Sequence, residues 1–296
     1  MTMTHWPEIA AEIASATHTT FKITQLTAVS GGCINETYSI ADDNQRFFIK
    51  INSTDTLPMF EAEAAGLKEI FNSRTLRVPK PICWGNNNRH AWLVLEYLDM
   101  NHSSRRNAAA LGSGLAAMHR NCAEQFGWQR NNTIGATPQI NSNSSNWIQF
   151  WRTNRLGYQL QLAKNNGYIG KLQKLGEQLM TELDTFFTEV TPAASLLHGD
   201  LWSGNYGFDA AGQPVLFDPA VYYGDRETDI AMTELFGGFP TAFYAAYREV
   251  YPLVSGYETR KTLYNLYHIL NHLNLFGGSY LRQAEQMTNK LLAEVH

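Results

Sequence analysis

His198-Gly199-Asp200-Leu201-Trp202-Ser203-Gly204-Asn205, followed by Phe217-Asp218-Pro219, is the stretch that decides the fold. Asp200 can accept a hydroxyl proton, and Asn205, four intervening residues later, can hold a metal ion. Asp218 stands just after a short β-hairpin pattern and would complete a magnesium site. Mg²⁺ prefers hard oxygen ligands and shares itself between one or two carboxylates and nucleotide phosphates. Either aspartate alone could equally cap a helix or close a turn. On one loop-strand-turn-strand frame behind a run of helical sequence, the two together point to phosphoryl transfer.

Working back towards the N-terminus, the chain supplies the other half that such chemistry needs. The Asp200 to Asn205 spacing is that of a kinase catalytic loop. Lys50 sits in Phe47-Phe48-Ile49-Lys50-Ile51, an apolar strand carrying one lysine, as the phosphate-pairing lysine of kinases does. Glu63, on a following helix, could pair with it. By itself, Lys50 could be an exposed edge charge. Ser30-Gly31-Gly32-Cys33-Ile34-Asn35 lies between two strands, where a glycine-rich loop would cover phosphates with backbone N–H groups; two adjacent glycines also make an ordinary hairpin turn. The order is what is specific: loop, lysine strand, glutamate helix, hinge, catalytic loop, metal aspartate.

Periodicity predicts a helix over 5–16, strands over 21–29, 34–40 and 46–51, a helix over 58–72 that starts at Pro58, and strands over 81–85 and 91–98. Beyond Asp99 the pattern is helical over 104–120, 145–164, 168–189, 227–236, 240–250, 257–276 and 279–294. A β island interrupts it near 195–197, 206–209 and 215–217. The Asn/Ser-rich stretch 131–146 reads as a long surface loop. The expected fold class is α+β, two-lobed, with a mainly-β ATP-binding lobe over 1–98, a hinge at 96–99 and a mainly-α catalytic and acceptor lobe over 99–296.

The 296 residues are 44% hydrophobic and 17% charged with a formal net charge of -4, which leaves no basic character for nucleic acid or a membrane surface. No apolar run approaches the ~18 residues of a membrane span, and the start, Met1-Thr2-Met3-Thr4-His5, shows no secretory signal. Three cysteines, Cys33, Cys83 and Cys122, give neither a disulfide framework nor a zinc ribbon. The expectation is a soluble, cytoplasmic protein with no nucleic-acid or membrane partner.

The sequence resembles the fructosamine kinase (ketosamine-3-kinase) family, within the wider group of aminoglycoside- and choline-kinase-like small-molecule kinases. The resemblance runs through nearly the whole chain. It rests on Ser30 to Asn35, Phe48-Ile49-Lys50, Glu63 with Gly66-Leu67, Phe126-Gly127-Trp128, Thr137-Pro138-Gln139, Leu196 to Asn205, Phe217 to Ala220, Tyr223-Gly224-Asp225, Phe236 to Phe239, and Asn271-His272. Leu197-His198-Gly199-Asp200-Leu201-Trp202 is more specific than a bare kinase loop, because aminoglycoside and choline kinases usually lack the tryptophan. Ser30 departs from the many members that carry a further glycine there.

The resemblance implies a protein-kinase-like fold, ATP and Mg²⁺ as cofactors, and transfer of the γ-phosphate to the O3' hydroxyl of a ketosamine, free or on a protein lysine, in a deglycation role. Carried over by position, Asp200 is the base, and Asn205 and Asp218 are metal ligands. Gly31 and Gly32 would cover the phosphates, Lys50 would contact them, and Glu63 would hold Lys50. Glu96, Tyr97 and Leu98 would form the adenine hinge, while His198 would orient the loop. Trp202 would stack on the sugar or attract the amine, unless it fills the core. His272 would face the acceptor. Asp225, with Glu227, would receive the amine, or else both belong to an acidic helix start. Cys33, in an anion-binding loop near Lys50, is a candidate for reversible oxidation or an intermolecular disulfide linking two protomers, or else a small residue packed in a turn. Cys83 and Cys122 stand in apolar or helical contexts with less reason to react. An aminoglycoside or choline acceptor, or a pseudokinase that binds nucleotide without transfer, are the alternatives.

Overall fold

The computed structural model describes residues 6–29, 34–100 and 107–295. They divide into two units: one runs to Asn107 and includes Gly207–Asp218, and the other comprises Ala108–Tyr206 with the chain from Pro219 onward. A single cut near residue 98 therefore understates the first unit, which also takes the later hairpin carrying Asp218. Among the described residues no helix is long and apolar enough to cross a membrane.

In the first unit, α1 (Trp6–Thr17), β1 (Gln25–Ala28), β2 (Glu36–Ala41), β3 (Arg46–Ser53), α2 (Leu57–Ser73), β4 (Pro81–Asn86) and β5 (His90–Glu96) follow in order. The strands form an antiparallel sheet in the order β1-β2-β3-β5-β4. Alternation along β3 sends Phe47, Ile49 and Ile51 into a core shared with Ile9 and Ile13 of α1 and with Trp92 and Val94 of β5. Ile9 and Ile13 are fully buried, each contributing roughly 1.5–3 kcal/mol. Trp92 Nε1 donates to Glu12 at 2.6 Å, and Gly85 leaves room for that carboxylate, since a Cβ there would meet it at 2.5 Å. Lys50, between Ile49 and Ile51, necessarily takes the opposite face of β3. α2 starts with Pro58 in its first turn and buries Phe60, Leu67 and Ile70.

Later in the chain, Tyr206–Phe208 and Pro214–Leu216 pair as a hairpin. Its turn is held by Asp209, whose Oδ1 accepts from the N–H groups of Ala211 and Gln213, and Arg77 fastens it to the first unit through Asp209 Oδ2 at 2.6 Å.

In the second unit, α3 (Ala108–His119) packs on Thr241–Val250, and Gly112 permits the approach, because a Cβ there would lie 2.2 Å from Phe243 O. Trp147–Phe150 (α4), a π-helical segment Trp151–Gly157 and Tyr158–Asn165 (α5) run on without a break, starting where the Asn146 side chain accepts from Gln149 N. α6 (Lys171–Glu182) begins later than the expected residue 168, because Gly167 and Gly170 take positive φ values, and it ends in a tighter turn over Leu183–Phe187. α7 (Glu227–Leu235), α8 (Thr241–Val250), α9 (Tyr257–Phe276) and α10 (Leu281–Glu294) complete the helices, with α9 packed against both α7 and α10.

The stretch 131–146 is not a surface loop. Asn132–Ile134 and Thr137–Gln139 form a hairpin, and Asn132, Gln139 and Asn141 are buried. Polar composition misled here because these amides point inward, to backbone carbonyls that require donors. The strand Tyr222–Gly224, paired with Ser195–Leu197, also escaped the periodicity.

Candidate active site

Lys50 Nζ lies 2.6 Å from Glu63 Oε1 and 2.6 Å from Asp218 Oδ1. The residues that the sequence placed as lysine strand, glutamate helix and metal aspartate thus meet within the first unit. Burial alone would lower the Lys50 pKa, but the carboxylates of Asp218 and Glu63 outweigh it and hold the ammonium charged. Burial pushes Glu63 the other way, upward, against the pull of Lys50. One ammonium between two carboxylates leaves an excess negative charge, and Asp218 is the carboxylate with water access, its side chain 48% exposed. Its backbone has φ 57°, a left-handed conformation uncommon outside glycine and most accessible to Asn and Asp.

The expected hinge closes β5. Glu96 N donates to Lys80 O at 2.8 Å, its carboxylate pairs with Arg77 at 3.1 Å, and the Arg46 guanidinium covers the Tyr97 ring at 4.1 Å. Leu98 follows, half-buried. Gly31, Gly32 and Cys33 lie outside the described residues. Burial, with Glu12 nearby, pushes the Cys83 thiol up to about 12. Cys122 is exposed, contrary to the apolar or helical context expected for it, because it falls beyond the end of α3.

The second unit holds the loop His198 to Asn205. Asn205 Nδ2 donates to Asp200 O at 2.8 Å and to Asp200 Oδ2 at 3.2 Å, which turns the Asn205 carboxamide nitrogen to the loop and its oxygen away from these contacts. Asp200 N donates to His198 Nδ1 at 3.3 Å, so the fully buried His198 ring carries its proton on Nε2 and orients the loop from within. Trp202 is 39% exposed, and its indole lies over Gly204, where a Cβ would meet the ring at 2.3 Å. It is not a core filler.

The other acceptor-side candidates separate. Asp225 is 4% exposed; its Oδ2 accepts from the Tyr264 hydroxyl and its Oδ1 from Glu227 N. Burial, then Glu227, pushes it up to about 6. Glu227 is buried against Arg260 in a two-point pair. Both carboxylates are spent on the interior, so neither stands ready for a substrate amine. His272 is half-buried among Phe236, Phe276 and Tyr280, and its Nδ1–H donates to His268 O at 2.8 Å, which leaves Nε2 as an acceptor.

Asp229 was missed. Its Oδ2 accepts from His198 N at 2.7 Å and its Oδ1 from Gly199 N at 2.8 Å, so one buried carboxylate fixes the two residues before Asp200. His119 Nε2 donates to it at 3.1 Å, His119 Nδ1 accepts from the Tyr247 hydroxyl, and Arg226 donates to Tyr247 in turn. Burial works against ionising Asp229, yet His119 and the backbone donors prevail and hold its carboxyl below the usual range. The sequence offers little signal for it: Asp229 follows Asp225 and Glu227 and stands directly before the apolar run Ile230-Ala231-Met232.

Three histidines in this unit, His119, His268 and His272, have pKa values lowered by burial, His268 to about 3. The unfolded chain takes up these protons below pH ~6.5 while the folded one resists, so their contribution is complete above that pH and is lost as pH falls. Asp225 works in the opposite sense between its unfolded value and about 6. Chemical denaturation of wild type and His268→Gln from pH 7.5 to 5 should show a shallower loss in the variant, by up to about 1.4 kcal/mol per pH unit.

The model of the fructosamine kinase family matches residues 5–294. A Synechocystis chain named a probable ketoamine kinase is 46% identical over 288 residues, covering 97% of both chains. The chloroplastic protein-ribulosamine 3-kinase of Arabidopsis thaliana is 42% identical over 274 residues, 92% of this chain and 83% of that one. A solved Haemophilus somnus chain assigned as a fructosamine-3-kinase superposes with a TM-score of 0.89 at 31% identity over 97% of each. With the lysine, glutamate and aspartates in their expected elements, this chain belongs to the fructosamine kinase family.

Proposed function

We propose that the protein transfers the γ-phosphoryl group of ATP to the O3' hydroxyl of a ketosamine, in the cytoplasm, so that the sugar–amine adduct is weakened and the amine released. The observation that carries this reading is Lys50 held charged between Glu63 and Asp218. Phosphoryl transfer asks mainly for positioning and charge neutralisation. Lys50 would contact the nucleotide phosphates, and Glu63 keeps it aimed. By donor type each suits a magnesium ion: Asp218, in the first unit, offers a water-accessible carboxylate beside a lysine shared with a second carboxylate, and Asn205, in the second, offers a carbonyl oxygen. Among the described residues no three His, Cys, Asp or Glu side chains form a self-contained metal site, and a magnesium ion completed by phosphates and water needs fewer. When bound, the ion would neutralise phosphate charge. Asp200 accepts the hydroxyl proton, Trp202 meets the sugar or its amine, and His272 Nε2 can accept a hydrogen bond from the acceptor.

ATP consumption with Mg²⁺ against ketosamines, aminoglycosides and choline tests the proposal. Turnover should appear with fructosamine-, ribulosamine- or erythrulosamine-type acceptors; turnover confined to aminoglycosides or choline, or none at all, would reject it. Asp218→Ala should weaken binding of Mg·ATP about tenfold or more while leaving binding of metal-free ATP within about twofold, read by titration with and without Mg²⁺.

A further inference from the structure

We infer that Gln139 is a positioning residue for the catalytic loop, acting through the carbonyl of Ala220. The inference rests on the assignment of Asp200 as the base and gives Gln139, so far only one of the residues that carry the resemblance, a role. Gln139 is 1% exposed, and its side chain is fully engaged. Gln139 Nε2 donates to Ala220 O at 3.1 Å and to Asn132 Oδ1 at 2.9 Å, while Gln139 Oε1 accepts from the Tyr267 hydroxyl at 2.9 Å. Asn132 Nδ2 donates to the next carbonyl, Val221 O, at 2.8 Å. Two buried side-chain amides therefore hold two consecutive peptide carbonyls.

The held peptide reaches the loop on two sides. Ala220 N donates to His198 O at 2.8 Å. Gly199 lies directly against Ala220 O: a Cβ on Gly199 would stand 2.1 Å from that oxygen. The Ala220 carbonyl is thus sandwiched between the Gly199 backbone and the Gln139 amide, and a shift of that carbonyl must be transmitted to Gly199 and Asp200. Asp229 grips the N–H side of His198 and Gly199; Gln139, through Ala220, sets the opposite side. The frame behind Gln139 is also fixed. Asn141 Nδ2 donates to Asn132 Oδ1, and the fully buried Arg155 donates to Asn141 Oδ1 at 2.8 Å while its guanidinium stacks on Tyr222 at 4.0 Å. Gln139, Asn132 and Asn141 each have both amide ends engaged, and low-dielectric surroundings strengthen such bonds.

The test is steady-state kinetics with the best ketosamine acceptor on wild type, Gln139→Met, Tyr267→Phe, Asp200→Asn and Leu291→Ala. Methionine keeps the length of Gln139 and removes both hydrogen-bonding ends. Misplacement of the base by a fraction of an ångström to one ångström should lower kcat of Gln139→Met about 10–100-fold, with KM for ATP within about twofold of wild type. Leu291→Ala, a core truncation in α10, supplies a loss of melting temperature without this effect, and its kcat below the transition should match wild type. Tyr267→Phe removes one hydroxyl and keeps the ring, and should lower kcat about 3–10-fold, adding little on top of Gln139→Met. Should Gln139→Met fail to fold, Tyr267→Phe decides alone. Wild-type kcat in a folded Gln139→Met or Tyr267→Phe, or an equal kcat loss in Leu291→Ala, would overturn the inference. An active Asp200→Asn would instead remove the base assignment, whatever Gln139 does.

Discussion

Asp200→Asn is expected to lower kcat about 10²–10⁴-fold while ATP binds as in wild type, because the amide keeps the shape of the carboxylate but cannot accept the hydroxyl proton. The loop should survive the change. Its main anchors are backbone groups: His198 N and Gly199 N on Asp229, Ala220 N on His198 O, and Asn205 Nδ2 on Asp200 O. The 3.2 Å approach of Asn205 Nδ2 to Asp200 Oδ2 can be kept by the amide oxygen of an asparagine. Lys50, Glu63 and Asp218 are untouched, so nucleotide affinity should hold. ATP titration together with single-turnover transfer separates the two quantities. A variant with near-wild-type kcat would take Asp200 out of the reaction.

Asp229→Ala should be the most damaging substitution outside the reacting groups. It strands the buried N–H groups of His198 and Gly199 and the Nε2–H of His119 without their acceptor. An unsatisfied buried donor costs about 1–3 kcal/mol, so a loss on the order of 3–5 kcal/mol is expected, with kcat falling further than the folded fraction explains. Asp229→Asn keeps the volume and one acceptor oxygen and should fall between the two. Denaturant midpoints read beside kcat at a temperature where each variant is folded test this; a stable Asp229→Ala with unchanged kcat would show that the loop is set by other contacts.

The candidate site was more legible than its support. Lys50, Glu63, Asp200, Asn205 and Asp218 stand out as candidates because charged and amide side chains on apolar strands and glycine-bearing loops break local pattern. The single-lysine strand placed Lys50 correctly because strand alternation alone dictates its face. The support is written differently. Asp229 reads as one more acidic residue after Asp225 and Glu227, and only long-range folding brings it under His198. Asn132, Gln139 and Asn141 read as a solvated polar stretch, since composition cannot tell an amide facing water from one facing a buried carbonyl. Asp225 misleads for the converse reason: an acid beside a glycine looks available, yet Tyr264, thirty-nine residues later, takes it into the interior. Helix ends shifted where glycine or asparagine caps set them, at Asn146 and Gly170.

Phosphorus–proton correlation NMR of the product formed from ATP, Mg²⁺ and a ribulosamine or fructosamine acceptor locates the transferred phosphate on the sugar. One new phosphomonoester coupled to the proton on C3' of the ketose is expected, formed in equal amount to ADP and absent with Asp200→Asn. A phosphoester coupled to any other sugar position, or ADP formed with no phosphorylated ketosamine, would contradict transfer to O3'.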